Sequence, residues 1–320
     1  MRSVQVTRLD GPAGVEVVEA EEPAPAAGRL LVEVHALGVS FPDLLLSRGQ
    51  YQLKPELPFQ LGVDFAGVVR RGGAGFAEGD RVACCLPYGG GADLVETDPE
   101  ATFPLPDTVS FETGAALPMN YLTAQFALAT RAQLQKGEIV LVHGAAGGVG
   151  TASLQVAKGY GARAIAVVSS DAKAEVARAA GADEVVRVDG FLSAVKELTG
   201  GRGVDVVVDV VGGDLVTDSL RALAPLGRLL VVGFTGGSIP QVKVNRLLLH
   251  NIDVRGVGWG GYAMGRPGYL RRQWDELLPM LESGVVAPPI GATYPVEQVR
   301  TALEEMEQRR TLGKSVLTLR

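Results

Sequence analysis

The residues in this chain best suited to chemistry form a glycine cluster, "VHGAAGGVG", between an apolar run and a helix-like segment. The cluster approaches the dinucleotide fingerprint G-x-G-x-x-G. Ala145 stands at the first position, Gly147 at the second and Gly150 at the third, with Gly144, Gly148 and Val149 around them. In such a loop the first glycine permits a tight turn, the second lets backbone amides approach a pyrophosphate, and the third lets helix and strand pack closely. Amides at a helix N-terminus make an anion site. A glycine cluster also marks plain turns, so the flanking pattern has to decide. Here a strand is expected before the cluster, a helix after it, and further β-α steps beyond, which favours a bound cofactor.

About twenty residues on, the second strand of such a unit normally ends in an acid that accepts the ribose hydroxyls of NAD. This one ends in Val168, followed by Ser169, Ser170, Asp171 and Lys173. Hydroxyl donors and a lysine suit the extra 2′-phosphate of NADPH, which a carboxylate would repel. The same serines can cap the next helix while Lys173 stays solvated, and capping and phosphate binding use the same donors. Asp171 argues the other way, because a shift of one residue would bring an acid near the ribose. A methyltransferase shows similar alternation with a glycine loop, but usually carries an acid after its second strand.

These residues need a frame. At 320 residues the chain is longer than one ordinary core and suits two domains. Up to about Asp107 it is rich in glycine, proline and short alternating apolar runs such as "LLVEVHALGV" and "GDRVACCL", the pattern of a compact β domain. From Ser110 an alanine-rich helical stretch is expected to run to Gly137. Beyond it, strands expected at 139–143, 163–168, 184–188, 204–210 and 227–233 alternate with helices expected at 148–159, 172–180, 191–199 and 215–222. The strands are near-continuous apolar runs, as a parallel sheet covered on both faces requires, so a doubly wound α/β sheet is expected. A helix in "LRRQWDELLPMLESG", another in "VEQVRTALEEMEQRR" and a last strand in "KSVLTLR" form a tail expected to pack back on the first domain.

The formal charge of −6 offers no general attraction to nucleic acid or anionic lipid. The two cysteines, Cys84 and Cys85, are adjacent, where a mutual bridge would be strained. With no disulfide framework, no signal-like start and no apolar run long enough for a bilayer, a cytoplasmic protein is expected. The histidines, His35, His143 and His250, lie on apolar strands or helix ends and read as structural.

Taken in order, "GVSFPDLLLSRGQY", "LPFQLGVDFAGVV" with "GFAEGDRV", "YLTAQFAL", "AAGGVG", "VVVDVVGG" and "GKSVL" make the chain resemble the quinone oxidoreductase and zeta-crystallin branch of the medium-chain dehydrogenase/reductase superfamily over nearly its whole length. The resemblance implies a GroES-like β domain over 1–120, completed by 259–320, and a Rossmann domain over 121–258, with NADPH in the cleft. By position it implies Tyr51, Ser40 and Asn120 at the reacting centre, Thr123 by the nicotinamide, and Lys314 near the cofactor. The glycine loop (Ala145, Gly147, Gly148, Val149, Gly150) and Ser169, Ser170 and Lys173 are the expected nucleotide contacts. Gly233 and Phe234 join them at the end of the fifth strand, where ligands collect in such sheets.

Plainer roles stand beside these. Tyr51 can cover a loop, Asp64 can bond local backbone, Thr123 its own turn, Phe234 can be core, and Lys314 a solvated strand residue. Trp259 and Tyr262 can frame a pocket or a subunit contact. Ser40 replaces a frequent asparagine and Val188 a frequent tyrosine near the adenosine. The superfamily's alcohol dehydrogenases hold zinc at three places that align with Ser40, Val63 and Met119, none of them a good zinc ligand.

Metal-free chemistry is therefore expected. The best-matched reaction is hydride transfer from NADPH to a quinone or α,β-unsaturated carbonyl compound, whose conjugation already polarises the acceptor. The alternatives are an enoyl reductase of fatty-acid or polyketide type and a non-catalytic NADPH-binding protein. A homodimer is implied as well, with the apolar edge "IDVRGVGW" available to pair.

Overall fold

The computed structural model describes residues Met1–Arg320, which divide into two compact units. The first comprises Met1–Met119, Arg266–Trp274 and Ile290–Arg320; the second comprises Asn120–Gly265 and Asp275–Pro289.

In the first unit the long strand Leu30–Val39 is the hub. Leu30, Val32, Val34 and Ala36 are buried while the residues between them are partly exposed, the period of two of a strand with one covered face. It pairs antiparallel with Asp64–Arg71, with Leu94–Thr97 and with the C-terminal strand Lys314–Thr318. Ile290–Pro295, Arg81–Cys85 and Thr102–Pro104 complete a seven-stranded sheet. A smaller sheet joins Val15–Glu19, Arg2–Val6 and Phe59–Gln60. Trp274 stacks on Phe103 at 4.8 Å and donates its indole N–H to the Pro104 carbonyl at 3.1 Å. This is the GroES-like β domain, closed by the end of the chain.

The second unit is a six-stranded parallel sheet in the order Glu184–Arg187, Arg163–Val168, Ile139–His143, Val204–Asp209, Leu223–Val231, Asp253–Gly256. That is the Rossmann order. Every residue of Val204–Asp209 is buried, which is why the strand reads as a near-continuous apolar run broken only by Asp205 and Asp209.

Two expectations change. The alanine-rich stretch is not one helix but Phe111–Ala116, Pro118–Gln125 and a wide π-helical turn, Phe126–Ala132. Pro118 cannot continue a preceding helix and starts a new one. The turn ends where Gln133 takes a left-handed φ of 53°. The buried Arg228 guanidinium holds this end, donating to the Ala132 carbonyl at 2.9 Å and to both Glu138 oxygens at 2.6 Å.

The tail, expected to complete the first domain from residue 259 onward, is divided between the units. Residues 259–265 and 275–289 group with the second unit because their partners are there. Tyr262 stacks on Phe126 at 5.1 Å, Glu276 accepts from Gln125 at 2.6 Å, and Gln155 bonds both the N–H and the carbonyl of Ala287. No helix is long and apolar enough to cross a membrane.

Candidate functional site

In the second unit the strand order reverses at Ile139–His143, whose neighbours are Arg163–Val168 on one side and Val204–Asp209 on the other. In open parallel sheets the crevice at the carboxyl ends of such strands takes the ligand. The glycine loop lies there. Gly144 turns the chain with φ of 62°, one residue ahead of the first motif position, which explains why Ala145 fits at that position. A Cβ on Gly150 would lie 2.2 Å from the Gly144 carbonyl oxygen and 2.7 Å from Ala145 Cα, so only glycine lets the helix Gly148–Gly159 sit against the loop. Gly147 differs, since a Cβ there would meet nothing closer than the Gly144 oxygen at 3.5 Å. Its backbone is therefore open to approach, as a pyrophosphate needs.

Asn120 packs on the start of that helix: a Cβ on Gly148 would lie 2.5 Å from Asn120 Nδ2. Thr123, buried like Asn120, follows on the same helix, Pro118–Gln125. Val149 is half-buried in the loop's helix. Gly233 and Phe234 follow the Leu223–Val231 strand, and Phe234 is 37% exposed rather than core. The buried His143 bonds Ser219 at 2.8 Å, and burial pushes its imidazole down to about 4, so it is neutral and structural.

At the end of the second strand Ser170 caps the helix Asp171–Ala179, accepting from the Lys173 amide at 3.3 Å. The Lys173 ammonium donates to Ser169 Oγ at 3.1 Å. Capping thus coexists with a gathered set of hydroxyl and ammonium donors. Sequence reasoning missed Arg187, whose Cα pairs with that of Val168 across the parallel strands. Its guanidinium donates to Asp171 Oδ1 at 3.1 Å and to the Ser169 carbonyl at 3.2 Å. The available signal was a basic residue closing the third strand, which becomes informative only with the pairing register.

In the first unit Ser40, Asp64 and Lys314 form a buried polar network. Lys314 Nζ donates to Ser40 Oγ at 2.6 Å and to Asp64 Oδ2 at 2.8 Å, Ser40 Oγ donates to Asp64 Oδ2 at 2.8 Å, and Asp64 Oδ1 accepts the Met119 amide at 2.8 Å. Three expectations are corrected. Lys314 is not a solvated lysine, because it is buried and its ammonium pairs with a buried carboxylate. Ser40 has no free proton for a substrate, because its hydroxyl already donates to Asp64. Asp64 bonds distant groups, not local backbone.

Zinc does not fit here. Ser40, Val63 and Met119 offer no imidazole or thiolate, and a lysine cation already sits against Ser40. Nearby, the buried Asp43 carboxyl accepts the Ser40 amide at 2.8 Å and the Gly62 amide at 3.2 Å, and desolvation pushes it up to about 7. Tyr51 is half-buried. Desolvation raises its phenol above the ordinary value, with Cys85 and Asp43 adding to the shift, so it stays protonated and can donate.

Comparison with known proteins places these units. The alcohol dehydrogenase GroES-like domain family matches residues 26–115, and the zinc-binding dehydrogenase family matches residues 148–283. Quinone oxidoreductase-like protein 2 of Rattus norvegicus is 38% identical over 325 residues, covering 100% of this chain and 92% of that protein. Among solved structures, a probable oxidoreductase from Mycobacterium abscessus is 42% identical with a TM-score of 0.91, covering 99% of this chain and 98% of its own. Escherichia coli quinone oxidoreductase complexed with NADPH is 30% identical with a TM-score of 0.89, covering 99% of this chain and 100% of its own.

Two predictions follow from the geometry. Gly150→Ala should overpack the loop and destabilise the protein by roughly 1–3 kcal/mol, whereas Gly147→Ala should keep stability within about 0.5 kcal/mol while weakening dinucleotide binding. Urea midpoints and a binding titration on both variants test this, and equal stability losses would contradict it. For Asp43, the folded carboxyl keeps its proton to about pH 7 while the unfolded one releases it near 3.8. Between those values the folded state binds more protons, so stability declines as pH rises, by at most about 1.4 kcal/mol per pH unit. Asp43→Asn, which cannot ionise, should show a smaller drop between pH 5 and pH 7 than the parent; an equal drop in both would refute the assignment.

Proposed function

Because the chain belongs to the quinone oxidoreductase branch of the medium-chain dehydrogenase/reductase superfamily, we propose that it is an NADPH-dependent reductase of quinones or α,β-unsaturated carbonyl compounds. The observation that carries this reading is the crevice of the second unit, where the open face of Gly147 lies in the glycine loop and Ser169, Ser170, Lys173 and Arg187 gather at the next strand end. Open amides suit the pyrophosphate, and hydroxyl donors with cations suit the ribose 2′-phosphate. Bound there, NADPH supplies a hydride.

The chain's own residues do the rest. Asn120 and Thr123 occupy the helix beside the glycine loop and shape the cofactor's surroundings. Tyr51 offers its phenol proton to the oxygen that becomes negative as the acceptor is reduced. Ser40 acts through Asp64 and Lys314 as a support of the first unit's interior. Alcohol oxidation is disfavoured because the donor set suits no Lewis acid that could stabilise an alkoxide. Free, buried Cys84 and Cys85 suit a reducing compartment such as the cytoplasm.

The test is a turnover assay on a small panel of quinones and enones with NADPH and NADH, with and without exhaustive chelation. Activity with NADPH that survives chelation is expected. Tyr51→Phe should slow quinone reduction by up to about tenfold, the worth of one neutral hydrogen bond. Enone reduction should slow by about 10²-fold, because an enolate needs its proton. No turnover on any acceptor, or Tyr51→Phe leaving both rates untouched, would refute the corresponding half.

We also propose a homodimer through the second unit. The strand Asp253–Gly256 ends the sheet, and around it Leu226, Val244, Leu248 and Leu249 are 70–79% exposed. An unpaired edge beside so much exposed apolar surface suits pairing with a second copy about a twofold axis. Light scattering should give twice the chain mass, and Leu248→Asp with Leu249→Asp should shift it towards the monomer; a monomer mass at every concentration would dismiss the proposal.

A further inference from the structure

Arg187 and Lys173 come from different elements and converge on one short segment, Ser169–Asp171. Arg187 closes the strand Glu184–Arg187 and reaches back to the Ser169 carbonyl and the Asp171 carboxylate; Lys173 lies in the following helix and reaches Ser169 Oγ. The other cations along this edge are committed elsewhere. Lys158 pairs with Asp183 at 2.6 Å, and Arg163 donates to both oxygens of Glu184, each carboxylate about a third exposed or less. The one carboxylate that pairs with Arg187 is Asp171, whose side chain is fully in solvent. An ion pair that exposed contributes little, so the guanidinium can exchange it at small cost. A phosphate monoester offers more charge than a carboxylate and an acceptor geometry that matches the guanidinium fork.

We propose that Arg187 is the principal specificity residue for the ribose 2′-phosphate and that Asp171 is its place-holder, clasping the guanidinium until the phosphate displaces it. The inference rests on the NADPH reading above. It also accounts for an acid just beyond the strand end that lacks the NAD-selecting one: the Asp171 carboxylate turns to Arg187. Ser169 and Ser170 hydroxyls and the Lys173 ammonium complete the donor set, but they alone would leave the phosphate without a bidentate partner. Asp171 then works against the phosphate twice, by repelling it and by holding its best ligand.

The test is calorimetric titration of the full chain with 2′,5′-ADP and with 5′-AMP, two probes that differ only by the 2′-phosphate. The parent should bind 2′,5′-ADP at least about tenfold tighter than 5′-AMP. Arg187→Gln should remove most of that preference while leaving 5′-AMP unchanged, which also shows that the site is folded. Asp171→Asn should strengthen 2′,5′-ADP by about two- to fivefold, again with 5′-AMP unchanged. If Arg187→Gln keeps the preference while Lys173→Ala loses it, the Arg187 assignment is overturned and the NADPH reading stands. If the parent binds both probes equally, the NADPH reading falls with it. If Asp171→Asn weakens 2′,5′-ADP, the place-holder role is wrong.

Discussion

An ammonium and a carboxylate removed from water must find each other, and the buried pair between Lys314 and Asp64 imposes that condition on the whole first unit. The two residues are 250 positions apart, with side-chain exposures of 4% and 0%. Their meeting requires the last strand to lie beside Leu30–Val39 in the register that sets Ser315 against Val39. In that register Lys314 arrives at Ser40, the residue that follows the hub strand. Gly38 leaves room for its stem, since a Cβ there would lie 2.8 Å from Lys314 Cε. The first unit is thus incomplete until the end of the chain returns to it, and an unpaired Asp64 would be left without its cation if it did not.

The same network decides what the surrounding groups can do. Asp64 takes the Met119 amide with its other oxygen and so fixes the end of the first unit's opening segment. Ser40 and Gly62 amides hold Asp43, whose burial keeps it protonated near neutrality. Ser40 is spent on internal bonds, while Tyr51 keeps its proton and remains the group able to give one.

The second unit solves a different problem, that of bringing backbone amides and cations to an anion in a protein of net negative charge. Sterics handle the amides. Gly150 allows helix and loop to touch, Gly144 turns the chain, and Gly147 keeps one face open. Register handles the cations, because the parallel pairing of Val168 with Arg187 brings a guanidinium to a strand end whose own sequence supplies only serines and a lysine. Two cations are thereby gathered at one strand end of a chain whose formal net charge is −6.

What the sequence determined by itself is what short-range periodicity and sterics encode. The runs 139–143, 163–168 and 204–209 read as buried parallel strands because both their faces are covered, and the helix from Gly148 is legible because its glycines must sit where strand meets helix. The break at Pro118 was equally local, but alanine-rich composition on both sides concealed it. Only the tertiary structure decided that Lys314 belongs to Asp64, that Arg187 belongs to Ser169 and Asp171, and that the tail from 259 serves both units. Each of these depends on which distant strand or helix lies alongside and in what register, and a one-residue slip would send the same side chain to the opposite face. The residue types announce a charge, a hydroxyl or an open amide; the partner that gives each its role is chosen by long-range pairing.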